Sequence, residues 1–213
     1  MLAPSAGKAR IAGLDVQEQP RKVRKSIGYV SQMLSADGAL TGYENLLLFA
    51  RIYAIPRRER KKRILDSLEF MGLTSAADVL VRNYSGGMIR RLEIAQSMLH
   101  RPPVLFLDEP TIGLDPVARQ TVWRHLNELR DFFGTTILLT THDMEEADKL
   151  CECIVIMHRG RAVATGSPQA LKAQLSPEAN LNDVFVHFVG GSVDDVGGYT
   201  QSSRTRRTVR RLG

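Results

Sequence analysis

Two adjacent carboxylates close an apolar run. Val104-Leu105-Phe106-Leu107 leads directly into Asp108-Glu109, and Pro110-Thr111 follow. A buried strand of a parallel sheet delivers polar residues to a site at its carboxyl end. There Asp108 can face a hydrated magnesium ion, which keeps much of its water and takes few protein carboxylates. Glu109 is then free to act on a water as general base. Taken alone, the pair could merely cap a strand end, so its neighbours along the chain decide the matter.

Ser85-Gly86-Gly87 suits an anion by a simple physical route. Two glycines let backbone come close to phosphate, a helix beginning there aims free amides at it, and the serine hydroxyl adds a donor. His142 follows a strand that ends in Thr140-Thr141. Gln32 terminates the run Ile27-Gly28-Tyr29-Val30-Ser31. Gly113-Leu114-Asp115-Pro116 comes shortly after the two acids. The remaining histidines, His100, His125, His158 and His187, read as structural or exposed.

In this order and spacing, the motifs resemble the ATPase subunit of ABC transporters. The resemblance covers positions 4 to 190 and implies ATP and Mg2+ as cofactors. It makes Asp108 a magnesium ligand, Glu109 the general base and His142 the switch histidine that contacts the γ-phosphate. Gln32 becomes the glutamine that meets magnesium and water, on a loop leading into a helical insert. Ser85, Gly86 and Gly87 become the signature motif, and Asp115 part of the loop that crosses between two subunits. Tyr84 and Met88 stand where the family usually has Leu and Gln.

Tyr84–Met88, Ile112–Pro116 and the closing Leu181-Asn182-Asp183-Val184-Phe185-Val186-His187-Phe188 resemble the branch of daunorubicin-resistance exporters. That branch implies a separate membrane permease with two ATPase subunits docked beneath it, through the surface around the Gln32 loop and the helical insert. Its cargo would be drug-like or lipid-like. Two other readings are a non-catalytic partner that completes another subunit's ATP site, and a soluble ABC-type ATPase unconnected with transport. Long coiled coils or a second ATPase half would favour the last, and the sequence has neither.

The phosphate loop of such proteins, G-x-x-x-x-G-K-[ST], wraps the β- and γ-phosphates. The only Gly-Lys here is Gly7-Lys8, with Leu2 where the first glycine should be and Ala9 where Ser or Thr should be. Pro4-Ser5-Ala6-Gly7-Lys8 instead resembles the segment that follows that loop and its helix. By the same resemblance, the phosphate-loop strand would lie between the strands at 135–141 and 152–157. Its absence is expected to leave strand edges and apolar surface uncovered, to make the chain marginally stable, and to leave it unable to bind ATP tightly or hydrolyse it alone.

Composition sets wide bounds. No apolar run approaches the ~20 residues needed to cross a bilayer, and the N-terminus lacks a signal-peptide core. A cytoplasmic protein without direct membrane insertion is therefore expected, and the resemblance implies a peripheral place on the inner face of the membrane. The net charge is +6, but five arginines against Asp194 and Asp195 place +3 of it in Gly190–Gly213. The balance does not imply nucleic acid, and the tail reads as solvated and disordered. Cys151 and Cys153, two apart on an expected strand, read as buried apolar residues rather than a metal or disulfide pair.

These groups need a scaffold. Lys8–Val16 reads as short strands around a turn at Gly13, and Ile27–Val30 as a strand. Leu46, Leu47, Phe49, Ala50 and Tyr53 give one helical face, which Pro56 ends. Ile64, Leu65, Leu68 and Met71 mark a second helix. Met88, Leu92, Ala95 and Leu99 mark a third, from Gly86. Strands at 104–107, 135–141, 152–157 and 162–165 alternate with helices at 117–130 and 144–150, with further helical segments from Ser167-Pro168 and over Leu181–Val189. The alternation predicts a covered parallel sheet.

The fold class expected is α/β: a P-loop NTPase-like (RecA-like) parallel sheet with an inserted α-helical subdomain, lacking the phosphate-loop strand and helix. Expected divisions are 1–34, a β region with the glutamine loop; 35–100, the helical subdomain; 101–189, the core; and 190–213, the tail.

Overall fold

The structure, a computed structural model, describes residues 4–190. The chain divides into two compact units, one ending at His142 and the other beginning at Asp143. The basic tail expected at 190–213 lies outside the described residues beyond Gly190.

The first unit opens on an antiparallel pair, β1 (Arg10–Ile11) and β2 (Leu14–Asp15). Ala12 and Gly13 turn between them with φ of 50° and 77°, the left-handed pair that a two-residue hairpin loop requires. Helix α1 (Pro20–Lys25) carries no periodic signal, since Val23 is its one buried residue.

The sheet that positions the site has three parallel strands in the order β3 (Ile27–Val30), β4 (Val104–Asp108), β5 (Thr136–Thr140). Val30 lies opposite Leu107, and Asp108 opposite Thr140. The three carboxyl ends are therefore level. β5 forms an edge of this sheet, with Leu138 half exposed.

Three helices fill the chain between β3 and β4: α2 (Gly42–Ile52), α3 (Arg57–Phe70) and α4 (Gly86–Met98). Thr41 and Glu44 form a reciprocal capping box that starts α2, and Pro56 separates it from α3. Leu46 and Ala50 of α2 and Ile64, Leu68 and Met71 of α3 and its end are buried as the spacing predicts. Leu65 is an exception, 42% exposed. On α4, Leu92, Ala95 and Leu99 are buried, and so are Arg90, Glu93, Gln96 and Ser97. Helix α5 (Pro116–Phe133) ends at Gly134, whose φ of 62° suits a glycine cap.

Gly28 lets β3 and α4 touch backbone to backbone. A Cβ there would stand 2.6 Å from the Ser97 carbonyl oxygen.

The second unit contains α6 (Met144–Leu150), β6 (Ile154–His158), β7 (Arg161–Gly166), α7 (Pro168–Ala173) and α8 (Leu181–Val189). Its core is Ala147, Ile156, Leu171, Leu181 and Val184. Here the parallel expectation is corrected, because β6 and β7 pair antiparallel. Arg159 and Gly160 join them with φ of 48° and 76°, and two residues cannot make the crossover that parallel strands need. The reading of the cysteines is also corrected. Both precede β6, both are free thiols, and Cys153 is exposed while Cys151 is half-buried. Burial raises the Cys151 pKa.

Candidate functional site

β4 carries Asp108 to the level end of the sheet, and Glu109 is the next residue. The Glu109 amide donates to the Thr140 carbonyl at 3.0 Å, extending the ladder with β5 by one step. Glu109 itself takes φ of 49°, a conformation uncommon outside glycine. The strand thus stops sharply at the residue expected to act on water.

Each acid is held by a residue at the end of β5. Thr140 Oγ1 donates to Asp108 Oδ1 at 2.6 Å, and His142 Nδ1 lies 2.9 Å from Glu109 Oε2. The Glu109 side chain is 19% exposed and that of His142 73%. The carboxylates therefore face an open end rather than a sealed core. The sequence alone does not single out Thr140, yet the register Asp108 opposite Thr140 is what brings it into range. Gln32 lies at the same end, two residues beyond β3, and is exposed.

Ser85 begins α4 as its N-cap, accepting from the Met88 amide at 3.3 Å. The same hydroxyl also carries a proton that it can donate. The helix runs antiparallel to β3. His100 lies level with Ile27, Ser97 with Gly28, and Arg90 with Ser31 and Gln32. Ser85 is five residues further along, about 7.5 Å at the helical rise, so it projects past the same end of the sheet as the two acids.

Gly87 must be small, because a Cβ there would sit 2.7 Å from Ala118 Cβ. A Cβ on Gly86 would meet Leu114 at 3.5 Å. The start of α4 is thereby packed on the loop that carries Asp115. Asp115 itself caps α5, with Oδ1 accepting from the amides of Val117 at 3.0 Å and Ala118 at 2.9 Å.

Two arginines of α4 lock this arm in place. Arg91 Nη1 donates to the Met71 carbonyl at 2.6 Å and reaches that of Gly72 at 3.4 Å, and its Nε lies 3.4 Å from the Gly87 carbonyl. Arg90 is buried against Glu93, with Nη1 to Oε2 at 3.1 Å. Burial lowers the pKa of both guanidinium groups; Glu93 opposes that shift at Arg90. Tyr84 donates its hydroxyl to the buried Ala76 carbonyl at 2.6 Å.

Of the other histidines, His187 is exposed and His158 half-buried on β6, and two are structural. His100 stacks on Tyr53 with ring centroids 3.8 Å apart, and His125 lies buried 3.1 Å from Glu128 Oε2. A cavity of about 380 Å³ opens near the amino end of β4, lined by Phe70, Met71, Leu99, Pro103, Leu129 and Phe133 among others, and no expected site residue lines it.

Hard oxygen donors gather at the carboxyl end of β4: the Asp108 and Glu109 carboxylates and the Thr140 hydroxyl. Magnesium prefers such a donor set, so these residues fit the ion.

The family profile described as ABC transporter matches residues 1–112. The chain is 49% identical over 166 residues to the daunorubicin resistance ATP-binding protein DrrA2 of Streptomyces coeruleorubidus, covering 78% of this chain and 51% of that protein. It is 46% identical over 196 residues to the Nod factor export ATP-binding protein I of Neorhizobium galegae, covering 92% of this chain and 55% of that protein. The chain thus spans about half the length of these curated relatives. Among solved structures, cbiO1 from Clostridium perfringens, part of the ABC transporter complex cbiONQ, superposes with a TM-score of 0.74 at 29% identity, over 82% of this chain and 71% of that one.

Proposed function

This chain belongs to the ABC transporter family, and on that premise we propose that it is an ATP-binding, energy-coupling subunit of an exporter of drug-like or lipid-like molecules. Its fold is the P-loop NTPase-like α/β fold of ABC ATPase domains. The observation that carries the reading is the pairing of Asp108 with Thr140 and of Glu109 with His142 at the level ends of parallel strands.

In this reading Asp108, oriented by Thr140, and Gln32 hold magnesium. Held there, the ion would supply positive charge beside the transferring phosphoryl group. Glu109 takes a proton from the attacking water, and His142 fixes the carboxylate that does so. Ser85, Gly86 and Gly87 present a helix N-terminus to the phosphates of a nucleotide bound by a second ATPase subunit. Asp115 lies on the loop that faces that subunit.

The exposed Met33 and Leu34 of the glutamine loop and Leu48 and Ile52 of α2 supply an apolar surface on which a membrane permease could dock. No helix among the described residues is long and apolar enough to cross a membrane. The chain works at the inner face of the membrane through that partner.

The 213 residues contain no G-x-x-x-x-G-K-[ST] run. A polypeptide limited to these residues is expected to bind nucleotide weakly and not to hydrolyse it by itself, and micromolar affinity for ATP would contradict this. A second subunit that carries such a run would use Ser85-Gly86-Gly87 to complete its own site. The decisive test fuses a G-x-x-x-x-G-K-[ST] segment ahead of Met1. Hydrolysis that appears with Glu109 and vanishes in Glu109→Gln, with ATP binding kept, supports the proposal. A folded fusion that binds ATP and hydrolyses it equally with either residue overturns it.

A further inference from the structure

One buried ion pair holds both ends of the glutamine loop. Arg90 Nη1 donates to the Ser31 carbonyl at 2.7 Å and Nη2 to the Gln32 carbonyl at 2.9 Å. Glu93 Oε1 accepts from the Ser35 amide, from the Ser35 hydroxyl at 3.2 Å and from the Ala36 amide at 3.3 Å. The two side chains join through Arg90 Nη1 and Glu93 Oε2, at 3.1 Å, and both are 2% exposed. Between these anchors Gln32, Met33 and Leu34 stay exposed.

Stability alone is a poor reason for such a pair. Burying two charges costs free energy that their attraction often fails to recover, and apolar residues of similar volume commonly serve as well. What the pair supplies is register: it fastens four backbone groups of a loop to one turn of α4. That turn lies five residues from Ser85 on the same rigid helix.

We propose that Arg90 and Glu93 are positioning residues that set the Gln32 loop at a fixed offset from the Ser85 helix terminus. The proposal rests on reading Gln32 and Ser85 as parts of one nucleotide site. A displacement of the loop, and of whatever docks on Met33 and Leu34, then reaches Ser85 through Arg90 and Glu93 rather than through solvent.

Amide hydrogen exchange on the 213-residue chain tests this without any nucleotide. Glu93→Ala removes the acceptor of the Ser35 and Ala36 amides and should speed exchange over residues 31–36 at least about tenfold, while rates in peptides of α3 and β4 rise much less. Glu93→Gln keeps an acceptor oxygen and should restore most of the protection. The double variant Arg90→Met/Glu93→Leu should melt close to the wild type yet show the same fast loop. Wild-type protection of residues 31–36 in the double variant, or faster exchange spread evenly over the chain in Glu93→Ala with no repair by Glu93→Gln, overturns the proposal. Adding millimolar Mg-ATP to the phosphate-loop fusion forms a separate arm. If exchange at neither 31–36 nor 85–88 responds there, the nucleotide-site reading fails, whereas the fastening of the loop stands or falls on the nucleotide-free rates.

Discussion

His142 Nδ1 stands 2.9 Å from Glu109 Oε2, across the ends of two strands that are 33 residues apart in sequence at this point. A carboxylate with φ of 49° cannot rely on strand geometry for its aim, so the imidazole supplies it. His142→Ala should lower hydrolysis in the phosphate-loop fusion about 10²-fold, the scale of one general acid–base contribution, with nucleotide affinity little changed. Steady-state rates and nucleotide titrations of the same preparation check both halves.

Gly87 faces Ala118 with no room for a methyl group. Helix propensity alone would favour Ala at this position by up to about 1 kcal/mol. Overpacking against a short, rigid side chain costs about 1–3 kcal/mol, and this term should win. Gly87→Ala is expected to lower the melting temperature, and Ala118→Gly added to it to restore most of the loss.

Tyr84, just ahead of α4, is tied to Ala76 through one buried hydrogen bond. Tyr84→Phe leaves that carbonyl without its donor and should cost about 1–2 kcal/mol, read as a shift in denaturant midpoint at unchanged slope. Tyr84→Leu, which installs the family's usual residue, should cost at least as much because the hydroxyl and ring volume go together.

His100 and His125 both titrate below the ordinary value of 6.5, chiefly because burial disfavours the charged ring. The unfolded chain therefore takes up protons first as pH falls. Stability is full above about pH 7 and declines as pH drops through the unfolded value toward the lower folded ones. Melting temperatures measured between about pH 7.5 and 5.5 should fall by a few degrees, and fall less in a His100→Phe/His125→Gln variant, in which the stack on Tyr53 and a polar contact to Glu128 can persist.

Much of this site is legible from sequence because strands end where chemistry begins. The apolar run into Asp108-Glu109 and the run into Thr140-Thr141-His142 each mark a strand terminus. Parallel pairing then makes neighbours of them with no further information. The partner of Asp108 is harder to see, since a threonine among β-branched residues gives no signal until the register is known. Arg90 and Glu93 escape periodicity for another reason. Charged residues on a helix read as its wet face, and only the carbonyls and amides of a loop 57 to 59 residues away make their burial tolerable. The β6–β7 hairpin shows the opposite failure. Alternation of apolar residues identifies two strands, but the two-residue link at Arg159-Gly160 determines their direction.

Arg91 closes the carbonyl end of α3 at Met71 and Gly72 while also reaching back to Gly87. One planar guanidinium thus splices two helices into a single lever. The joint between α3 and α4 is fastened by a side chain rather than left to the connecting segment alone.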